Sequence, residues 1–483
     1  MGKSAANLRE KPGESLASIK KFDVPTEAAT TSSLEALRAY SMAMEFYAKG
    51  GNKDEAVISL FQLAIKLDPN FALAFRDLAR HQFDIGRHAE AVASITKAFD
   101  LRTRTSENEK LSIEVLYYEF AAADLEKAAE TAEIWKRTFP RFWLPFHSLA
   151  DIYFESGQYE KAVENGREAV RLNPNFAAAY TNPAGALVRL NRFAEAKTLY
   201  NQAMANNLDH LAYHFYLFWI GYFEHDPAAI QQQIEWMRTH DYQHFALAYE
   251  SQLAVLEGRW KQSLEFSSRA RAEPEKYGEK NLGASLFAWD AHTAALFGDC
   301  PTVKQRAPQV TTFSENSNLL ADAAFALAMC GEDRQALRIA DELAARFPKD
   351  AVLREPRLPT IRAAVELYRG RSDQTIELLQ SAKRYEGQFL FFAPCLRGLA
   401  LLQKGANAEA AAEFQSIHQH LGWFDWTPLI LLSHLWEARV LALAGDKARS
   451  RQAYEEFFAL WKDADADLPI LIEATNEYQH LKK

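Results

Sequence analysis

Few residue groups in this chain have the types and spacing that catalysis or metal binding requires. His210 and His214 stand one helical turn apart and could share a metal ion, but the sequence offers no evident third ligand. Asp463, Asp465 and Asp467 alternate along an acidic stretch that lacks the glycine and distal glutamate of a calcium loop. We therefore interpret both groups as ordinary core or surface residues, and the sequence predicts no metal site and no cofactor.

Enzyme motifs are equally scarce. Gly2, Lys3 and Ser4 imitate the end of a phosphate-binding loop, but the earlier glycine and the preceding strand are missing. The motifs of phosphoryl transfer, which include a strand lysine and a catalytic aspartate, do not occur in the sequence. His418 and His420 are two residues apart, which on a helix points them in different directions. The sequence predicts no catalytic residues and a protein that is not an enzyme.

The composition allows a large buried core and argues against nucleic acid as a partner. The 483 residues are 48% hydrophobic and 12% aromatic. A single core rarely grows beyond about 250–300 residues, so this length means several domains or a repeat array. The net charge of −9 leaves no basic stripe that could follow phosphates.

The cysteines and the N-terminus suggest a cytoplasmic protein. Cys300, Cys330 and Cys395 are widely separated and lack the paired spacing of metal or redox motifs, so we expect buried thiols in a reducing compartment. The first thirty residues contain no apolar run that could serve as a secretory signal or membrane anchor. No membrane partner is therefore expected.

Any functional surface must be positioned by repeated helix pairs. Large residues, small residues and glycine recur at matching offsets near a 34-residue period. The sequence predicts an N-terminal helix and linker at 1–33, a repeat array at 34–467 and a capping helix at 468–483. Pro183 lies where a first helix is expected, which predicts a kink near Tyr180. The predicted turns inside later units contain glycines, namely Gly258, Gly331, Gly370, Gly405 and Gly445.

These repeats resemble the tetratricopeptide repeat (TPR). The resemblance implies an all-α fold, a right-handed superhelix (α-solenoid) of about twelve helix-turn-helix units that ends in a capping helix. It also implies a non-catalytic scaffold that binds a protein or peptide partner in its concave groove, and it leaves the oligomeric state open. The match is clearest at Phe146, Leu149, Ala150, Tyr153, Ala162, Ala169 and Pro174.

A closer resemblance is to the C-terminal TPR regions of certain bacterial serine/threonine protein kinases and related winged-helix regulators. It rests on three passages, at 8–18, 25–40 and 457–465. In those relatives the segment follows a catalytic or DNA-binding domain, and nothing of that kind precedes it here. The alternative function is therefore a regulatory or sensory segment of a kinase signalling system, detached or truncated.

The resemblance also implies which side chains face the groove, because the first helix of each unit lines the concave face. Arg76 and Arg80 could pair a carboxylate through bidentate hydrogen bonds, although the full carboxylate-clamp pattern is absent. Asn182 falls where the family often keeps an asparagine that bonds the backbone of a bound peptide. The other groove positions in these units are Phe83, His147, Asp151, Phe154 and Arg189.

A cluster of aromatic residues in the sixth unit has two interpretations. Repeat phase would place Phe215, Trp219 and Tyr222 in the groove, where exposed aromatic rings are typical binding anchors. Alternatively, the unit buries them against its neighbours. We favour burial, because aromatic residues at helical spacing are more often core than binding site.

Overall fold

The described part of the chain is entirely helical in this computed structural model. It contains twenty-five α-helices and no strand, which confirms the predicted all-α fold. In chain order the helices form twelve successive pairs followed by one terminal helix. Of the predicted N-terminal segment 1–33, all but the last three residues lie outside the described part. The structure describes residues 31–49, 54–272, 280–348, 350–386, 392–423 and 427–481.

The chain divides into two compact units. Of the described residues, the first unit comprises those up to 187 and those at 194–213, and the second comprises those at 188–193 and those from 214 onwards. The first ten helices, which lie mainly in the first unit, are α1 (Leu34–Lys49), α2 (Asp54–Leu67), α3 (Ala72–Asp84), α4 (His88–Leu101), α5 (Glu107–Phe120), α6 (Leu125–Thr138), α7 (Leu144–Glu155), α8 (Tyr159–Leu172), α9 (Thr181–Arg189) and α10 (Phe193–Ala205).

The second unit continues the same alternation of helices and ends on the predicted capping helix. No helix among the described residues is long and apolar enough to cross a membrane. The remaining fifteen helices, which lie mainly in the second unit, are α11 (Leu211–Phe223), α12 (Pro227–Thr239), α13 (Gln243–Leu256), α14 (Trp260–Ala272), α15 (Lys280–Phe297), α16 (Cys300–Phe313), α17 (Ser317–Met329), α18 (Asp333–Arg346), α19 (Leu358–Tyr368), α20 (Ser372–Leu378), α21 (Phe392–Gln403), α22 (Asn407–Gln419), α23 (Leu429–Leu443), α24 (Lys447–Leu460) and α25 (Pro469–Leu481).

Small and large apolar residues occupy the positions that the repeat pattern predicts. Ala91, Ala162 and Ala196 are fully buried, so the helices of each pair approach closely at these residues. Phe61 and Tyr200 are also fully buried and fill the space between neighbouring elements. A helix pair cannot bury its own apolar face, so this interdigitation between neighbours stabilises the array.

Glycine turns separate the helices of five later pairs at the predicted positions. Gly258, Gly331, Gly370, Gly405 and Gly445 all have φ between +70° and +83°. In this left-handed region a Cβ atom collides with the backbone, so glycine is preferred.

The chain changes helix type at the predicted place near Tyr180. A short 3₁₀ turn at Ala177–Tyr180 leads into α9, which places Pro183 in the first turn of the α-helix. Proline is tolerated there because the first N–H groups of a helix have no intrahelical acceptor. The proline ring packs against Gly166, where a Cβ atom would lie only 2.5 Å from Pro183.

The expectation of three reduced thiols is wrong for two of the cysteines. Cys300 and Cys330 form a disulfide whose Cα atoms are 5.5 Å apart. Cys300 begins α16 and Cys330 follows α17, so helix packing joins two residues that are 30 positions apart. Cys395 is a buried free thiol whose pKa is raised by burial. Because disulfides persist mainly in oxidising compartments, the cysteines no longer support a reducing one.

Glycine-to-alanine substitutions should have opposite effects at two helical positions. A Cβ atom on Gly398 in α21 would lie 2.5 Å from the fully buried ring of Phe414, whereas none of the described atoms lies within 4 Å of a Cβ atom on Gly283 in α15. We expect Gly398→Ala to lower the free energy of unfolding by about 1–3 kcal/mol through overpacking. Gly283→Ala should raise it by up to about 1 kcal/mol through helix propensity. Chemical denaturation measures both, and equal shifts of the same sign would contradict the packing of α21 on α22.

Alkylation followed by intact-mass measurement tests the disulfide. In denaturant without reductant, we expect one iodoacetamide label, on Cys395, because the other two thiols are bonded. After reduction, three labels are expected. Three labels before reduction would contradict the Cys300–Cys330 pairing.

Candidate functional site

The first unit contains a pocket of about 240 Å³ on the face formed by the first helices of its pairs, α1, α3, α5 and α7. Six aromatic residues contribute to the wall, and nine polar or charged residues, among them Asn108, Ser112 and Ser148, contribute hydrogen-bonding groups. The aromatic residues are Tyr40, Tyr47, Trp135, Phe142, Trp143 and Phe176. The remaining six are the arginine, carboxylic and histidine residues Arg76, Asp77, Arg80, Glu109, His147 and Asp151.

Repeat register explains why residues distant in sequence meet here. The Tyr40 hydroxyl donates to Asp77 Oδ2 at 2.6 Å, and the Tyr47 hydroxyl donates to Asp84 Oδ2 at 2.8 Å. Both pairs are 37 residues apart and link α1 to α3. Two tyrosines that lie two helical turns apart on α1 therefore contact two aspartates that lie two turns apart on α3, as stacked helices require.

Local capping motifs fix the side chains at the start of α5. The Ser106 hydroxyl accepts from the Glu109 N–H, and the Glu109 carboxylate accepts from the Ser106 N–H at 3.1 Å. This capping box satisfies two N–H groups at the helix start and holds Glu109 at the pocket wall. Trp135 is fully buried, and its indole N–H donates to Asn108 Oδ1 at 2.6 Å.

Arg80 is the centre of a polar network that crosses four first helices. Its guanidinium donates to Glu119 Oε1 at 3.2 Å and to Asp151, and its Nε lies 3.4 Å from Asp84 Oδ1. The amide of Asn182 donates to the other oxygen of Asp151. The network thus joins α3, α5, α7 and α9 through side chains that are largely buried.

A second arginine is also paired within the chain. Arg76 donates to the neighbouring Asp77, whose carboxylate also accepts from Tyr40. Arg76 is 7% exposed and Asp77 is 2% exposed. The Arg76 Nε atom has no hydrogen-bond partner among the described residues. Arg76 is therefore charge-compensated but retains one donor for a ligand.

Burial, together with neighbouring carboxylates, raises the pKa of one carboxyl in the network. Burial raises the pKa of Glu119 to about 8, against the attraction of Arg80, and the nearby carboxylates of Asp151 and Asp84 raise it further. Three carboxyl groups surround the single guanidinium of Arg80, so retention of one proton reduces their repulsion. At neutral pH we therefore expect Glu119 to hold a proton in the folded state.

His147 lies at the junction of the polar network and the aromatic wall. Its ring is 5.7 Å from that of Trp143 and 5.6 Å from that of Phe176, and its Nε2 lies 3.6 Å from Asp151 Oδ2. Burial lowers the pKa of His147, so the imidazole is neutral at physiological pH. Its Nδ1 has no hydrogen-bond partner among the described residues, which leaves one polar position for a ligand.

The structure brings together five of the groove residues that the repeat phase indicates. Arg76, Arg80, His147 and Asp151 line the pocket, and Asn182 joins them through its hydrogen bond to Asp151.

Two other predicted groove residues of the first unit pack in its interior. Phe83 stacks on Phe120 with ring centroids 3.9 Å apart. Phe154 is buried and contacts the ring of Tyr159 at 5.7 Å.

The remaining predicted groove residues belong to the second unit. Arg189 is buried there and donates to the Gly422 carbonyl at 2.6 Å. Trp219 is 1% exposed, and Phe215 stacks on Tyr249 at 5.0 Å. Tyr222 is half-buried and contacts Trp219 edge-on at 6.0 Å. Trp219 therefore packs as a core residue.

Several pocket residues were missed by sequence reasoning. Trp143 and Phe176 each precede a first helix, as Phe71 does, and this recurring aromatic position was an available signal. Asp77 directly follows Arg76, but its contact with Tyr40 depends on the 37-residue register between α1 and α3.

Comparisons with known proteins support the repeat interpretation. Residues 150–191 match the family model described as "TPR repeat". The solved structure of the APC/C hetero-tetramer Cut9-Hcn1 is 14% identical with a TM-score of 0.50, over 92% of this chain and 86% of that chain. This likeness shows the fold, an all-helical repeat fold of the TPR kind.

Two further solved structures are similar at lower TM-scores. Yeast Tom70 is 13% identical over 92% of this chain and 95% of that chain, with a TM-score of 0.32. A tetratricopeptide repeat protein from Parabacteroides merdae is 14% identical over 53% of this chain and 99% of that chain, with a TM-score of 0.33. The match to the repeat family covers residues 150–191 of the chain.

The raised pKa of Glu119 predicts a pH-dependent stability. An unfolded glutamate has a pKa of about 4.3, so the stabilisation from the bound proton is complete below that pH and is lost as the pH rises towards 8. Glu119→Gln keeps an acceptor for Arg80 and removes the titration. Between pH 5 and pH 9 we expect the free energy of unfolding of the wild type to fall relative to this variant by at least about 1 kcal/mol.

Chemical denaturation across that pH range measures the difference. The matched control is Glu130→Gln, an exposed glutamate on α6, which should follow the wild type. A constant difference between the wild type and Glu119→Gln would contradict the buried, proton-holding state of Glu119.

Proposed function

We propose that the chain is a non-catalytic interaction scaffold whose first unit binds a segment of a partner polypeptide in the pocket between α1, α3, α5 and α7. The TPR-type fold supports this role, because proteins of this fold are typically protein-protein interaction scaffolds. The pocket adds a concave surface with both aromatic and charged walls, which is typical of a site that selects particular side chains.

The charge of the pocket indicates which kind of ligand side chain it binds. Two arginines in the wall, Arg76 and Arg80, are outnumbered by the three carboxylic residues Asp77, Glu109 and Asp151. Both arginines already donate to carboxylates of the chain. A carboxylate from a partner would meet neutralised guanidinium groups and repulsion from the surrounding acids, so an acidic peptide terminus is disfavoured.

A cationic side chain fits the same surroundings. Lysine and arginine are attracted both by excess carboxylate and by aromatic faces, and the attraction to an aromatic face amounts to about 0.5–2 kcal/mol. The rings of Trp143 and Phe176, 4.7 Å apart, form one apolar part of the wall beside His147. We infer that the bound segment presents a lysine or arginine flanked by apolar residues.

A second proposal is the regulatory role in a bacterial serine/threonine kinase system that the sequence resemblance implies. Of its three passages, 8–18 lies outside the described residues. Within the passage 457–465, the Trp461 indole N–H donates to the Leu256 carbonyl at 3.2 Å, and the Asp465 N–H donates to the Gly258 carbonyl. Packing inside the second unit accounts for these residues, so the scaffold proposal is preferred. A kinase or winged-helix domain encoded immediately upstream would favour the second proposal.

Two methionines on α1 provide a matched test of the scaffold proposal. Met44 lines the pocket, whereas Met42 on the same helix is 52% exposed and outside it. Peptides selected from a random displayed library on the full chain should be enriched in lysine or arginine next to apolar residues. Met44→Arg places a competing cation in the pocket and should weaken their binding at least tenfold, while Met42→Arg should not.

Fluorescence anisotropy with the selected peptides gives the dissociation constants, and circular dichroism checks that both variants fold. Peptides without basic residues, or peptides that bind Met44→Arg as tightly as the wild type, would contradict the proposal.

A further inference from the structure

In the second unit, α22 and α23 bring two histidines and one glutamate together. His418 lies in the last turn of α22, and His434 and Glu437 lie three residues apart on α23. One nitrogen of each histidine and one carboxylate oxygen all lie within 4.8 Å of one another. The ring centroids of His418 and His434 are 4.4 Å apart, and the ring planes are inclined by 28°. Neither the scaffold role nor the pocket in the first unit uses these residues.

A serine fixes the proton on His418. The Ser433 hydroxyl lies 2.6 Å from the Ile430 carbonyl, which can only accept, so the hydroxyl hydrogen is donated there. Ser433 Oγ also lies 2.7 Å from His418 Nε2. Because the hydroxyl hydrogen is already used, Ser433 must accept from the Nε2–H of His418. In the neutral imidazole, Nδ1 then carries the lone pair.

That lone pair faces a carboxylate. His418 Nδ1 lies 3.9 Å from Glu437 Oε2, which is too long for a direct hydrogen bond. Two acceptors directed at each other repel unless a cation lies between them. Metal–ligand distances of about 2.0–2.1 Å to nitrogen and 2.0–2.2 Å to oxygen span this gap.

The three ligand atoms, and the hydrogen bond that orients one of them, suit a divalent metal ion such as zinc. Two imidazoles and one carboxylate suit zinc and leave a fourth position for water. A second hydrogen bond from a ligating histidine, such as the one from His418 to Ser433, orients the ring and fixes its tautomer. The side chains of His418 and Glu437 are 24% and 39% exposed, so an ion can reach the site from solvent.

We propose that His418 Nδ1, His434 and Glu437 bind a zinc ion, which ties the C-terminal end of α22 to α23. Zinc links two consecutive helix pairs at this point and thereby stabilises the folded second unit through mass action. The site is independent of the peptide pocket, so either proposal can fail without the other.

Calorimetric titration of the untagged, chelator-stripped full chain with zinc chloride tests the site. We expect one equivalent of zinc to bind and to raise the melting temperature. Glu437→Gln keeps the side-chain shape and should weaken zinc binding at least tenfold, as should His434→Ala. His240→Ala is the control, because His240 is exposed on the helix-terminal turn after α12 and should leave binding unchanged.

The melting temperature without metal shows whether each variant folds. The proposal would be overturned if the wild type bound zinc no more tightly than a His418→Ala/His434→Ala double variant. An equal loss of affinity in His240→Ala would also overturn it, because zinc would then bind without preference for these residues.

Discussion

The structure depends on the inability of a helix pair to bury its own apolar face. Each pair therefore packs on the next, and fully buried small residues such as Ala162 and Ala196 set how closely the helices approach. Larger residues such as Phe414 fill the remaining space, and the absence of a side chain on Gly398 is what admits that ring. Stacking in fixed register makes equivalent positions of successive first helices neighbours in space.

Register also determines the chemistry of the concave face in the first unit. Because equivalent positions meet, a charged residue on one first helix is surrounded by side chains from the next ones. Arg80 illustrates this, since Glu119, Asp151 and Asn182 extend its network over three further helices. Burial raises the pKa of Glu119, and the excess of carboxyl groups over guanidinium groups in the network raises it further. The same excess supports the preference that we infer for a cationic ligand.

Much of the fold could be predicted from the sequence, because helical periodicity and glycine turns are local signals. Gly331 and Gly405, for example, occupy the predicted turns with positive φ. Five of the residues predicted for the groove lie together at the pocket of the first unit, because repeat phase is enough to assign a helix face.

Other features depend on three-dimensional neighbours that periodicity does not encode. The Cys300–Cys330 disulfide requires two helix ends to meet, and the zinc-ligand arrangement of His418 depends on the hydroxyl of Ser433. Sequence reasoning treated Arg76 and Arg80 as available cations, because it could not show that Asp77 and Asp151 already pair with them.

The most direct test of the central claim compares the affinities of two peptides for the full chain. One is a selected peptide with its basic residue, and the other has an uncharged residue of equal length in that position. If the acidic, aromatic pocket of the first unit recognises a cation, replacing lysine by norleucine should weaken binding to the full chain at least tenfold. Equal dissociation constants for the two peptides would contradict the account.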